Sequence, residues 1–458
     1  MRIVFYSTNS NTFDEETFKI SVMPSNEEAF KEFCAAHPED EFFCVTQKPA
    51  MFMPENDLIQ GNNGCVFYMS EDADCDDFAE KILELKPVLA IAMTFWIEPY
   101  DWLPVSDSLV GEKLQAAGVR TICHSVETSL NCFDKWRTHN ELRRLGFNVP
   151  LAVFADHDLY FCAGSVREVL RNVYKESLIS QIRGMKLPLI IKDTTGLSSY
   201  GMTVVNTYGE AIGYLNSKRN NSNRLIQEFV KGRQFGLEIY GVPGKYTVLP
   251  PFEFSVNQYG ITSPKQSVKT GPCELPAELR EMMIKLAEGL GLCGAAQVDL
   301  VLDDNGKWWI IEINPRLSGM SYTYASMLGV SVFEMLYRFT VKPVIECPAP
   351  ERSRRAGCIE ITAENVVSIW PSAYSTTVKV VNLKLPLLSI DQMEKIIQIE
   401  GVKLLNQTND LAAKQEREKG FCECIVCSDD KAVLQKAVAR FEELFPGDAI
   451  IHQSKTLV

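Results

Sequence analysis

The sequence predicts a chain of α/β and α+β class built in three parts, and three observations carry that expectation. Residues 1–129 alternate short apolar runs with helical patterns, which implies a parallel sheet with crossover helices. Residues 130–347 become strand-rich around one strong hairpin signal. Residues 348–458 return to a mixed α/β pattern behind "ECPAPERSRRAGC", a proline- and charge-rich stretch that reads as an exposed connection.

In the first part, Arg2–Tyr6, Phe42–Thr46, Val66–Met69, Val88–Thr94 and Thr121–His124 read as short buried strands. Glu27–Ala36, Asp77–Leu85 and Leu109–Ala117 read as helices between them. In the second part, "FDKWRTHNELRRLGFNVP" is a helix closed by Gly146, with Pro150 beyond it. Strands follow at Leu151–Phe154 and Leu189–Lys192, with a helix expected over Ser165–Tyr174. Further strands are expected at Gly201–Asn206, Arg224–Val230 and Phe235–Tyr240, then a helix at Ala277–Gly289. Strands Ala296–Leu302 and Trp308–Ile313 flank Asp303-Asp304-Asn305-Gly306, whose turn chemistry signals a hairpin. The third part offers a strand at Gly420–Cys427 and a helix at Lys431–Leu444.

Bulk properties bound the function. A net charge of −13 and a pI near 5.1 argue against a general nucleic-acid or anionic-membrane binder. No apolar run has the length of a membrane span, and the N-terminus lacks the apolar core of a secretory signal. The 14 cysteines are scattered and read as reduced thiols. The expectation is a cytoplasmic protein.

The chemistry gathers in "QVDLVLDDNGKWWIIEINPRLSG". Asp299 and Glu312 fall on two antiparallel strands joined by a tight turn, and Asn314 shares a face with Glu312. Three hard oxygen ligands at neighbouring strand positions suit Mg²⁺, which takes carboxylates together with phosphate oxygens. Solvated acids on an exposed hairpin are the structural alternative, but Glu312 sits in the apolar run "WWIIEIN", where an unpaired charge is costly. Arg316 follows, poised to meet an anion.

Upstream, "LIIKDTTGLSSYGMTVV" ends a buried strand on Lys192 and continues into a soft run. Gly196, Ser198, Ser199 and Gly201 let backbone N–H groups approach phosphate closely. The lysine precedes the loop and GxxxxGK[ST] is absent, so this is not a P-loop. Lys135 opens a helix after "FD". In "RLIQEFVKGRQFGLEIYG" a strand runs into a turn at Gly232, a connector able to offer backbone groups to an adenine edge, although spacing alone favours an ordinary strand.

The order of these motifs resembles the ATP-grasp superfamily, with "EINPR" and the Asp299–Glu312 spacing the most specific part. The resemblance covers residues 120–340 in motif detail and the rest only by layout. It implies a central ATP-grasp fold of two subdomains within 130–347: linking helices (130–185), a small lid (186–240) and a Mg²⁺/phosphate subdomain (241–347). It further implies that Lys135 and Lys192 contact the phosphates of ATP and that the loop Thr195–Gly201 closes over them. Gln227, Glu228 and Val230 would frame the adenine. Gln234 or Glu238 would take the ribose, since an acid often found after the connector glycine is here a glutamine. Asp299, Glu312 and Asn314 would hold Mg²⁺, two ions by family pattern, with Mn²⁺ as a substitute. Arg316 would steady an acylphosphate, and Lys269, with Lys265 as its rival, would be a further phosphate lysine.

The reaction implied is ADP-forming ligation. A carboxylate attacks the γ-phosphate, and an amine then displaces phosphate from the acylphosphate. The layout is most similar to the biotin-carboxylase-like group that includes L-amino-acid ligases, which implies small-molecule carboxylate and amine substrates such as amino acids or peptides. D-Alanine–D-alanine ligases usually lack the Arg after Asn-Pro and the long tail. A carboxylase or other ATP-grasp ligase, and a non-catalytic ATP-binding protein, are the competing expectations. A symmetric homodimer is the prior for assembly. Three further features read as structural: the "CECIVC" cysteines, the aromatic group Phe95, Trp96, Tyr100 and Trp102, and "ERSRR".

Overall fold

The computed structural model describes residues 1–8, 17–21, 26–47, 64–70, 72–93, 103–162, 170–195, 202–256, 268–341, 379–385, 388–408 and 422–445. Three sheets organise them. The first is five-stranded and wholly parallel, in the order Cys65–Met69, Glu41–Gln47, Arg2–Tyr6, Leu89–Ala92, Arg120–Ile122. The run "RIVFY" is apolar without alternation because both faces of its strand are covered. Helices Asn26–Ala36, Cys75–Glu84 and Leu103–Ala116 match the expected crossovers.

The second sheet is the small antiparallel unit Ala152–Ala155, Arg224–Glu228, Leu189–Asp193, Thr203–Val205. Leu189, Ile191, Val205 and Ile226 pack one face onto helices Val173–Arg183 and Tyr208–Leu215. By alternation Ile190, Lys192, Leu225 and Gln227 are left on the other face. The helix expected over Ser165–Tyr174 is not found at the described residues 170–172. Asn172 caps the observed helix by accepting from the Lys175 N–H, so the first turn starts at Val173, and 163–169 lie outside the described residues.

The third sheet has ten strands and runs through the chain's nominal divisions. Its central members are Trp308–Asn314, Gly294–Asp303, Gly232–Val242, Phe252–Phe254 and Val268–Gly271. Lys379–Leu385, Cys422–Ser428 and Val402–Thr408 continue it, and Thr17–Ser21 from the N-terminal part closes the edge. One hydrophobic core joins all three parts: Phe5 and Phe33 meet Phe333, and the same cluster takes in Tyr240, Ala295, Val380 and Ile425. His124 stitches the parallel sheet to the hairpin. Its Nδ1 accepts from the Cys293 N–H at 3.0 Å and its Nε2 donates to the Ala295 carbonyl at 2.9 Å, and burial lowers its pKa to about 4.

In "CECIVC", Cys422 and Cys424 enter the core under the C-terminal helices, while Cys427 enters the core on the opposite face. Strand alternation therefore sets Cys427 apart from Cys422 and Cys424. Phe95, Trp96, Tyr100, Trp102 and the "ERSRR" stretch lie outside the described residues. Among the described residues no helix is long and apolar enough to cross a membrane.

Candidate active site

The hairpin places the acids as cross-strand partners. Gly306 adopts φ +76°, closing the Asp303 turn, and the register sets Asp299 opposite Glu312 and Gln297 opposite Asn314. A bulge after Asp299 shifts the pairing so that Leu300 faces Ile310, returning the apolar residues to the core while both carboxylates share one face. The neighbouring strand puts Gly236 beside Asp299. A Cβ there would stand 2.3 Å from the Phe254 ring and 2.8 Å from Met320 Sδ, so only glycine lets those side chains close over the row.

The lysines arrive from two other elements. Asp134 caps helix Lys135–Arg144 by accepting from the Arg137 N–H, which starts the helix at Lys135. The Lys135 N–H donates to the Thr194 carbonyl at 2.7 Å, tying this helix to the end of the Lys192 strand. Trp136 stacks on Phe154 of the small sheet, with ring centroids 5.6 Å apart. Lys135 Nζ then meets Glu312 Oε1 at 2.8 Å, with the two side chains 17% and 28% exposed. The contact joins this helix to strand Trp308–Asn314 of the large sheet.

Charge is concentrated here. Burial, with the Lys135 charge beside it, lowers the Lys192 pKa to about 8 against the pull of Glu312 and Asp299. Burial alone would raise the Glu312 carboxyl, but Lys135, Lys192 and Arg316 outweigh it and hold the group below its ordinary value. A polar chain continues along the strands. Gln297 donates to Asp299 Oδ1 at 2.6 Å, Asn314 donates to Gln297 Oε1 at 3.1 Å, and Arg316 donates to Asn314 Oδ1 at 3.1 Å. Lys135, Glu312, Asn314 and Arg316 line a narrow cavity with Pro104 and Ser129 of the N-terminal part.

The remaining expected residues are placed as follows. Gln227 is buried on the Lys192 face of the small sheet. Glu228 accepts from the Lys186 N–H at 2.7 Å, and Val230 follows just outside the strand. Gln234 shares a cross-strand row with Phe254 and Val301, and the Lys269 backbone extends that row. Glu238 is not brought to the cleft. It is fully buried, with Oε1 accepting from Ser318 Oγ at 2.8 Å and Ser321 Oγ at 2.7 Å, and Oε2 accepting from the Tyr240 hydroxyl at 2.8 Å. Fully buried and turned to three internal hydroxyls, this carboxylate does not reach the cleft where a ribose would lie, so that expectation is corrected. Gly196, Ser198, Ser199, Gly201 and Lys265 lie outside the described residues. Gln297 escaped the sequence reading, although its place two residues before Asp299 on one strand marks it as a neighbour on the same face.

The donor set fits a hard divalent cation only in part. Among the described residues no three His, Cys, Asp or Glu side chains converge as a metal cluster. Asp299, Glu312 and the Asn314 amide are an oxygen set that leaves positions for water and phosphate oxygens, as in Mg²⁺ sites of nucleotide enzymes.

Residues 132–320 match the family model described as the ATP-grasp domain. The D-alanine–D-alanine ligase of Buchnera aphidicola subsp. Schizaphis graminum is 28% identical over 228 residues, covering 46% of this chain and 70% of that protein. The D-alanine–D-alanine ligase of Bordetella petrii is 24% identical over 181 residues, covering 36% of this chain and 56% of that protein. Similarity of fold extends over the full length. The L-amino acid ligase of Bacillus licheniformis superposes with a TM-score of 0.61 at 15% identity, covering 97% of this chain and 96% of that one. The N5-carboxyaminoimidazole ribonucleotide synthetase of Thermus thermophilus gives 0.60 at 13% identity, covering 98% and 99%. Residues 132–320 therefore carry an ATP-grasp domain, set at the centre of a chain whose fold is similar over its full length to those two enzymes.

Proposed function

We propose that this chain is an ATP- and Mg²⁺-dependent carboxylate–amine ligase that joins amino acids or peptides through an acylphosphate. The observation that carries the proposal is the 2.8 Å contact of Lys135 with Glu312, which brings a lysine and the acid pair together beside a second, half-buried lysine. A carboxylate attacking a phosphate faces charge repulsion, so its site must gather positive charge. Lys135, Lys192 and Arg316 do so from three separate elements.

In this reading Lys135 and Lys192 bind the phosphates, with Lys269 beside them. Gln227, Glu228 and Val230 frame the adenine, and Gln234 takes the ribose. Asp299, Glu312 and Asn314 hold the metal, which when bound neutralises phosphate charge. The substrate carboxylate oxygen forms a bond to the γ-phosphorus as the bond to the β-phosphate oxygen breaks and ADP leaves. A neutral amine then attacks the acyl carbon, phosphate departs, and the amine's proton is released. Arg316, held against Asn314, faces the charge that develops.

Two comparisons support amino-acid substrates: the D-alanine–D-alanine ligases similar in sequence and the L-amino acid ligase similar in overall fold. The experiment is phosphate release from Mg·ATP against amino acids, singly and in pairs, with mass spectrometry of products. Phosphate and a condensed product, both lost in Glu312→Gln, are expected. A parallel arm with bicarbonate tests a carboxylating reaction, which the fold likeness to the carboxyaminoimidazole ribonucleotide synthetase keeps in view. Phosphate release there, with none from amino acids, overturns the amine-ligase reading.

A further inference from the structure

Each oxygen-bearing side chain of the acid site already has an internal partner. Lys135 Nζ lies 2.8 Å from Glu312, Gln297 Nε2 lies 2.6 Å from Asp299, and an Arg316 nitrogen lies 3.1 Å from the Asn314 amide oxygen. The three are not equivalent. Gln297 is neutral and leaves the second Asp299 oxygen outside that bond. Arg316 is buried and also donates to the Leu317 carbonyl at 3.3 Å, so its guanidinium is held by its own turn. Lys135 alone brings a full, compact charge on a flexible four-carbon stem.

The helix is built so that the ammonium can leave without the backbone moving. Asp134 caps it, the Lys135 N–H is fixed to Thr194, and Thr138 Oγ1 donates to the Asn131 carbonyl at 2.8 Å. Both Lys135 and Glu312 keep part of their surface open to the cavity they line. Lys192 differs. It is half-buried at the end of its strand, and among the described residues it has no carboxylate within salt-bridge distance.

We propose that Lys135 is a place-holder cation on Glu312, and that nucleotide phosphate draws it away and thereby opens the metal position. The proposal rests on the ATP-grasp reading of the cleft. The exchange conserves ion pairing: the ammonium passes from carboxylate to phosphate, and a divalent cation takes its place on Glu312. The donor set is consistent with it, because two carboxylates and an amide leave a hard cation open positions that phosphate oxygens can fill. Divalent cation and nucleotide therefore bind with positive coupling, and by linkage each raises the other's affinity by the same factor. Lys135 is the residue that suppresses binding of the metal alone.

The test uses Mn²⁺ as the probe, counted by electron paramagnetic resonance of the free ion, on the full chain without nucleotide. Wild type should bind Mn²⁺ weakly, and a non-hydrolysable ATP analogue should raise that affinity strongly. Lys135→Met should bind Mn²⁺ at least tenfold tighter than wild type without nucleotide, and adding Glu312→Gln to it should remove the gain. Lys135→Arg, which keeps the charge, should stay near wild type. Equal affinity in Lys135→Met and wild type overturns the proposal. So does an equal gain in Lys192→Met, which would make the effect one of through-space charge. Lys135→Gln repeats the comparison if the methionine variant does not fold. Wild type alone is an independent check: Mn²⁺ binding as tight without the analogue as with it sinks the idea. If wild type binds neither the analogue nor Mn²⁺ in its presence, the ATP-grasp reading of the cleft has failed instead.

Discussion

Glu312 and Glu238 lie on the same face of the large sheet, one cross-strand row apart, and they live in opposite environments. Glu312 opposes Asp299 at the mouth of the cleft, bonded to one lysine and held below its ordinary pKa by three cations. Glu238 opposes Gln297 one row deeper, where two serines and a tyrosine fill its oxygens. Ser318 is also the N-cap of helix Gly319–Leu328, whose positive dipole end favours a carboxylate. Partner chemistry, more than strand position, separates the two carboxylates. An ammonium can be replaced by a metal. A cage of hydroxyls anchored in a helix cap cannot be replaced without taking the turn apart.

The largest expected break is Glu312→Gln. It should reduce ATP turnover by about a thousandfold or more, as loss of a transition-state charge contact does. Its melting temperature should stay close to wild type, because the amide remains partly exposed. A large loss of stability together with activity would make Glu312 a structural residue like its neighbour.

Glu238→Ala should do the reverse. Three buried hydroxyls lose their acceptor, at a cost of about 2–4 kcal/mol. Thermal and denaturant melts should show it, while nucleotide binding in the remaining folded fraction changes little. A stable variant with a specific loss of nucleotide affinity would return Glu238 to the ribose.

Gln297→Ala sharpens the contrast at its border. Gln297 orients Asp299 and accepts from Asn314, so its loss should weaken Mn²⁺ binding in the nucleotide complex by roughly 10–100-fold, the usual effect of removing an outer partner. Unchanged Mn²⁺ affinity would show that Asp299 is oriented by the strand alone.

The mildest effect is in pH. With its pKa lowered to about 8, Lys192 is an ammonium below that pH and neutral above it. Phosphate binds the ammonium, so nucleotide affinity should be highest below pH 8 and fall by up to about tenfold per pH unit above it. Stability moves the other way. Between pH 8 and the unfolded value near 10.4, the native state has released a proton that the unfolded chain keeps, so this group adds stability as pH rises. Titrations of nucleotide binding from pH 7 to 9.5 check the first sign, and chemical denaturation over the same range checks the second. A flat affinity profile would remove Lys192 from the phosphate contacts.

Much of the site was legible because it is local. Gly306 and its neighbours turn the chain, alternation puts Asp299, Glu312 and Asn314 on one face, and Asp134 starts a helix on Lys135. Short-range steric and hydrogen-bond rules decide each of these from a few residues. Glu238 obeyed the same alternation, yet its partners came from Ser318 and Ser321, eighty residues and more along the chain, and no local rule reports them.

The N-terminal sheet, the hairpin and the motif order were determined by sequence alone, because periodicity and turn chemistry act within one element. The tertiary structure alone decided which carboxylate met a lysine and which met hydroxyls. It also decided that strands from the N- and C-terminal parts complete the central sheet, and that His124 joins the parallel sheet to the hairpin. The physical reason is that these outcomes depend on backbone edges and side chains meeting across long loops. A charge or a strand edge chooses its partner by what lies beside it in space, and spacing along the chain does not encode that.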